Sequence, residues 1–184
     1  MPNLMNGKQE HTTIEASAPG RICLFGEHQD YLGLPVIAAA IDLRITLVGT
    51  VTDAPEFVLN LRDINKMIRL NPNQENQYTH NRDYITAAAN VLRREGLKWD
   101  HGYCIEVSSE IPINAGASSS SALQVAWCAF LLKAAGDERA SNPKAIAELA
   151  YLSEVVEFHS PGGRMDHYST ALGGVIWLDC KAPF

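Results

Sequence analysis

Residues 119–136, SSSALQVAWCAFLLKAAG, are the most restrictive stretch of this chain. Beyond the opening serines, only Gln124 and Lys133 are polar, and Gly136 stands at the end as a stop signal. A helix that is apolar nearly all round cannot lie on a surface. It must sit inside the molecule, with other elements covering it.

The rest of the chain offers those elements. Two strand-like runs, IEASAPGRICLFG (14–26) and VIAAAIDLRITLVGTV (36–51), flank the polar turn EHQDYLGLP. Their β-branched residues, and the alternation in DLRITLVGTV, predict strands. EFVLNL and MIRL read as a shorter antiparallel pair, and NPNQENQYTHN as a polar loop. DYITAAANVLRRE (83–95) predicts a helix with Asp83 as its N-cap and with Tyr84, Ala87, Ala88, Val91 and Leu92 on one face. YCIEV and GGVIWLD read as strands. SNPKAIAELAYLSEVVEF predicts another helix, with start signals at Ser141 and Pro143 and with Ile146, Leu149, Ala150 and Val156 in phase. No internal repeat is present. Strands before, between and after helices, without strict alternation and with adjacent hairpin candidates, predict an α+β domain with a mixed or antiparallel sheet rather than a doubly wound one.

With 184 residues, 46% hydrophobic and 20% charged, the chain has the make-up of one globular domain with a substantial core. A net charge of −6 argues against nucleic-acid and acidic-membrane partners, which are bound through clustered Lys and Arg. An anionic small molecule remains open, because backbone amides can hold it. Cys23, Cys104, Cys128 and Cys180 have no C-x-x-C spacing and read as buried free thiols of a reducing compartment. MPNLMNGKQEHTT has no apolar segment to act as a secretion leader, and VAWCAFLL, the longest apolar run, is far short of a membrane span. A soluble cytoplasmic protein is expected.

The central helix is preceded by IPINAGASSSS, which puts four serines after a Gly-bearing turn. A flexible linker would leave the apolar helix without anchorage. Two readings remain for the serines. One caps the helix while the others fill a turn, or the helix start cradles phosphate. First-turn N–H groups lack intrahelical partners and concentrate positive potential. Gly116 would let the loop approach a ligand closely, and serine hydroxyls can bind phosphate oxygens or a magnesium ion. No G-K-[ST] follows, so this is not a Walker loop.

Two more clusters carry polar chemistry. APGRICLFGEHQDY (18–31) ends a strand and releases Glu27, His28, Asp30 and Tyr31 at a Gly26 bend, a set suited to several hydroxyls of one ligand or else a plain solvated turn. SPGGRMDHYSTALGG (160–174) places Asp166 and His167 after a Pro-Gly-Gly bend. Asp166 could take a proton from an attacking hydroxyl, or cap a helix. His167 and His159 read as structural.

Together these stretches resemble the GHMP kinases, the superfamily of galactokinase, homoserine kinase, mevalonate kinase and phosphomevalonate kinase. GRICLFGEHQDY is similar to the galactokinase signature, PINAGASSSSA to the P-x-x-x-G-L-S-S-S-A phosphate loop, and GGRMDHYSTALGG to the G-x-M-D-Q segment. The match runs in order over residues 18–180. Arg21 and Asp30 favour the galactokinase branch, whereas APG, LFGEH and the pattern G-x-P-x-I-A-x-A-I have a mevalonate-kinase character. Cys23 for asparagine, Leu32-Gly33-Leu34 for Asn-Gly-Gly, Ala117 for leucine and His167 for glutamine depart from the galactokinase pattern, so galactose itself does not follow.

The resemblance implies the N-terminal domain fold of that superfamily and transfer of the ATP γ-phosphate to a sugar hydroxyl, with ATP and Mg2+ as cofactors. It matches Asp166 to the base or charge-orienting group and Arg21 to the residue that pairs with it. Gly116, Ser118, Ser119 and Ser120 fall on the phosphate loop, with Ser120 beside the magnesium ion. Glu27, His28 and Asp30 fall on the hexose-binding residues. A mevalonate-kinase-like alcohol kinase and a non-catalytic sugar or nucleotide sensor are the rival expectations. Family members continue into a second domain carrying a further Gly-rich motif, whereas this sequence stops at LDCKAPF. An N-terminal domain is therefore expected, with a face that could serve homodimer formation.

Overall fold

The computed structural model describes residues 13–112 and 115–181. The expectation that no secretion leader is present rests on residues outside that range. Six strands, β1 (Thr13–Phe25), β2 (Val36–Thr52), β3 (Phe57–Leu61), β4 (Lys66–Leu70), β5 (Gly102–Ser109) and β6 (Val175–Leu178), form one sheet. Four α-helices accompany them: α1 (Tyr84–Arg94), α2 (Ser119–Ala134), α3 (Pro143–Tyr151) and α4 (Met165–Leu172). The strand order is β1-β2-β5-β3-β4, and β6 joins β2 at residues 36–39, beyond the segment that β5 occupies. All pairings are antiparallel except β3 with β5, which is parallel. The architecture is α+β with a mixed sheet. The one parallel pair arises because the chain travels through α1 between β4 and β5, a crossover that a hairpin reading does not foresee.

Helix α2 is the buried helix that its composition demands. Trp127, Cys128, Phe130, Leu131 and Leu132 have no exposed surface. Gly136, at φ +66, ends it as a Schellman turn, with Gly136 N bonding Lys133 O (3.1 Å) and Asp137 N bonding Leu132 O (3.0 Å). The ring of Phe57 meets those of Trp99, Tyr103 and Trp127 edge-on at 5.6–6.0 Å. Both buried indoles donate to backbone, Trp127 to Ile85 O and Trp99 to Leu131 O. No buried indole N–H is thereby left without an acceptor. Asp83 caps α1 as its sequence predicts, accepting from Thr86 N.

Several expectations need correction. The α3 cap is Asn142, whose side chain accepts from Lys144 N and Ala145 N; Ser141 instead closes the preceding 3-10 turn by donating to Glu138 O. Pro143, one residue inside the helix, fixes that start. The predicted long helix does not continue as α to Phe158 but changes to a π turn over Leu152–Val156, with Ser153 Oγ bonding Leu149 O. Asp166 does not cap a helix but lies inside α4, whose N-cap position is Arg164; MDHYSTAL is short and made mostly of weak helix formers, so its bounds are not evident from the sequence. All four cysteines are free, but only Cys128 and Cys180 are buried; Cys104 is exposed. Strand β5 buries Tyr103, Ile105 and Val107, and the alternation turns Cys104 outward. No described helix is long and apolar enough to cross a membrane.

The β6 end of the sheet has two unlike faces. Val36 and Ala38 pack with Met165 and Cys180 on the α4 side. Their neighbours form cross-strand rows, Phe25–Ile37–Trp177 and Ile22–Ala39–Val175. On that opposite face Phe25 is 70%, Val175 69% and Trp177 65% exposed.

Candidate active site

The site begins with an irregularity in β1. Pro19 pairs with Arg44, but Arg21 pairs with Ala40, so β2 bulges by two residues. Bulges re-aim side chains and free backbone groups from the ladder. Here Arg21 N donates to Ala117 O (3.2 Å), which lays the serine loop directly on the strand. Gly20 makes this contact possible, since a Cβ there would stand 2.9 Å from Ala117 O.

Arg21 is buried, at 7% exposure, and its guanidinium is held twice. Nε donates to Asp166 Oδ1 (2.7 Å) and Nη1 to Gly116 O (2.7 Å). The other Asp166 oxygen, Oδ2, accepts from Ser118 Oγ (2.6 Å). Gly116 (φ +72) and Ser118 (φ +52) are both left-handed, which bends the loop sharply before α2. Ser118 holds the N-cap position without capping, because its hydroxyl serves Asp166. The capping reading of that serine therefore fails. Burial pushes the Asp166 carboxyl up, but the Arg21 bond and charge, with help from Ser118 and His167, outweigh it and hold the group below its ordinary value.

Asp30 is brought to the same place. Its Oδ2 accepts from Met165 N (3.0 Å), so a residue 135 positions earlier satisfies the first amide of α4, one residue before Asp166. A side chain at Gly163 would overlap the Asp30 carboxylate. The bend that presents these groups turns at Gly26 (φ +89) and His28 (φ +60).

Arg21, Glu27, His28, Asp30, Ser120 and Asp166 line one cleft of about 300 Å³. Sequence reasoning missed several of its other walls. Arg82 and Tyr84 come from the start of α1, and Glu154 from the π turn. His167 also reaches the cleft, yet it is 2% exposed and its Nε2 lies 2.8 Å from Glu154 Oε2, so the structural role read for it describes its main contact. Glu154 sits in a stretch that reads as ordinary helix, and only the tertiary fold brings it near Ser120. Arg164 pairs with Glu148 (2.8 and 3.0 Å) and lies 4.1 Å over the Tyr151 ring, which fastens α4 to α3.

Among the described residues no cluster of three or more His, Cys, Asp or Glu could hold a metal unaided. The Ser120 hydroxyl and the Glu154 carboxylate share the cleft and are hard oxygen donors. Such a sparse set fits Mg2+, which keeps waters and takes phosphate oxygens as further ligands.

Comparison with known proteins agrees in order along the chain. The sequence profile described as GHMP kinases N terminal domain matches residues 83–174, and that of the galactokinase galactose-binding signature matches residues 6–51. Mevalonate kinase of Pyrococcus furiosus is 30% identical over 175 residues, which cover 90% of this chain and 52% of that protein. Galactokinase of Thermotoga neapolitana is 31% identical over 173 residues, covering 90% and 46%. The solved structure of Lactococcus lactis galactokinase complexed with galactose superposes with a TM-score of 0.82 at 23% identity over 91% of this chain and 45% of that one, a likeness of fold. Methanococcus jannaschii mevalonate kinase gives 0.76 at 26% identity, over 96% and 57%. The chain spans about half the length of the curated relatives it matches.

Proposed function

Starting from the GHMP kinase family, to which this chain belongs, we propose that it is the N-terminal, nucleotide- and acceptor-binding part of an ATP-dependent kinase acting on a sugar hydroxyl. The observation that carries this reading is the Arg21–Asp166–Ser118 assembly, whose Arg21 and Asp166 line a cleft together with Glu27, His28 and Asp30. Three sequence segments meet there, and the hydrogen bonds from Arg21 and Ser118 favour the ionised form of Asp166.

The acceptor hydroxyl attacks the γ-phosphorus, a new P–O bond forms, the β–γ bridging bond breaks, and ADP leaves. Glu27, His28 and the free oxygen of Asp30 would accept from the acceptor's hydroxyls and fix which one faces the phosphate. Asp166 orients that hydroxyl and takes its proton. Its carboxyl lies below its ordinary value, so it is a weak base, and the proton moves late, after the P–O bond has begun to form. Arg21 keeps the carboxylate in place and adds positive charge near the transferring group. The α2 start and Ser120 face the phosphates, and Mg2+ held by Ser120 and Glu154 would supply charge neutralisation. Four free thiols suit a reducing, cytoplasmic setting.

ADP release, measured with Mg-ATP and a panel of monosaccharides, tests the reading. Asp166→Asn should abolish turnover and spare nucleotide binding measured by calorimetry; near-normal turnover in that variant removes the proposed role. The 30% identity to an archaeal mevalonate kinase favours a second reading, a small-alcohol kinase. Turnover of a branched hydroxy acid in place of every hexose would select it. Binding of ATP and a hexose without ADP release would instead indicate a sensor.

A further inference from the structure

Four carboxylates, Glu27, Asp30, Glu154 and Asp166, line the cleft, against two arginines, Arg21 and Arg82. The serine loop brings no lysine. Arg21 is engaged by Asp166 and by Gly116 O, so it can offer a bound polyphosphate only part of its charge. A nucleotide polyphosphate entering this cleft meets a surplus of negative charge, and helix-start amides and one magnesium ion face it alone unless another cation takes part.

Arg82 has the properties of that cation. It is exposed at the cleft wall, and its guanidinium makes no hydrogen bond or ion pair among the described residues. Its backbone stands at φ +63, a conformation disfavoured for any residue with a side chain and found where surrounding structure enforces it. The enforcement is visible. Next door, Asp83 is buried and accepts from Thr79 N (3.0 Å), Thr79 Oγ1 (2.9 Å) and Thr86 N (3.4 Å), while Tyr84 N bonds Arg82 O (2.8 Å). The loop is pinned on both sides of Arg82, and the side chain is presented beside the first turn of α1. Arg82, Tyr84 and Glu154 line the same cleft.

We propose that Arg82 binds the phosphate chain of the nucleotide in the cleft that Ser120, at the start of α2, also lines. The assignment rests on the phosphotransferase reading above and adds a group to it that none of the three sequence motifs contains. An anionic substituent on the acceptor, a carboxylate or a phosphate, is the other possible source of the same chemistry.

The full chain serves for the test. ATP, ADP, adenosine and inorganic tripolyphosphate are titrated calorimetrically into wild type, Arg82→Gln, Arg82→Lys and Arg82→Gly, with thermal melts as the folding control. Arg82→Gln should weaken ATP and tripolyphosphate about tenfold or more and leave adenosine unchanged. Arg82→Lys should recover part of the loss. Arg82→Gly relieves the positive φ, so it should match Arg82→Gln in affinity while melting no lower than wild type. Equal ATP affinity in wild type and Arg82→Gln overturns the assignment and leaves the kinase reading standing. A loss confined to a sugar phosphate or sugar acid, with ATP unaffected, also overturns it and moves Arg82 to the acceptor. Wild type that binds a hexose but no nucleotide defeats both.

Discussion

At the scale of single residues, the decisive quantity is the charge on Asp166. Burial alone would raise its carboxyl, and Arg21 reverses the sign. Arg21→Met should therefore move the Asp166 titration to higher pH, as read by NMR of the carboxyl carbon. Because the folded carboxyl lies below its unfolded value of about 3.9, its contribution to stability is present above that pH and is lost as pH falls through the folded value. Melts below about pH 4 should show this loss in wild type and not in Asp166→Asn. Ser118→Ala should lower turnover about tenfold, the worth of one hydrogen bond to a charged group, and lower the melting temperature modestly, since the bond to Asp166 also stabilises the folded protein. The resemblance implied the pairing of Arg21 with Asp166 that the structure contains, but placed Ser118 on the phosphate loop, whereas its hydroxyl goes to Asp166. Glu154 and Arg82 were not legible in the sequence. One lies in a run that reads as helix core, and the other in a polar loop, where local pattern says nothing about which wall it will join.

At the scale of elements, glycines and caps set the geometry. Gly163→Ala would drive a methyl into the Asp30 carboxylate and break its bond to Met165 N. Acceptor binding should weaken strongly in that variant while ATP affinity stays near wild type, which paired calorimetric titrations would show. Asp83→Ala removes the α1 cap and the Thr79 bonds together, and should destabilise the protein by about 1–2 kcal/mol or slightly more in chemical denaturation. The strands, α1 and α2 were readable to within a few residues, since alternation and the all-apolar run leave little choice. The bulge opposite Gly20, the π turn and α4 were not, because each owes its form to contacts far along the chain. The amide bond from Arg21 to Ala117 O and the side-chain bond from Asp30 to Met165 N are invisible to periodicity.

At the scale of the whole molecule, the open face around Phe25, Ile22, Val175 and Trp177 is continuous across three strands. Patches of this kind seek a cover. We expect isolated chains to pair through it, so sedimentation velocity should show concentration-dependent association that Phe25→Ser with Trp177→Ser abolishes. Persistence of the association in the double variant would place the contact elsewhere. The bond between Asp30 and the start of α4 has a reach of its own. It makes the acceptor pocket and the phosphotransfer carboxylate one mechanical piece. Laboratory evolution that reshapes the bend to admit a new sugar will thus disturb reactivity in the same stroke, and variants with broadened taste should need a compensating change in α4 before they regain speed.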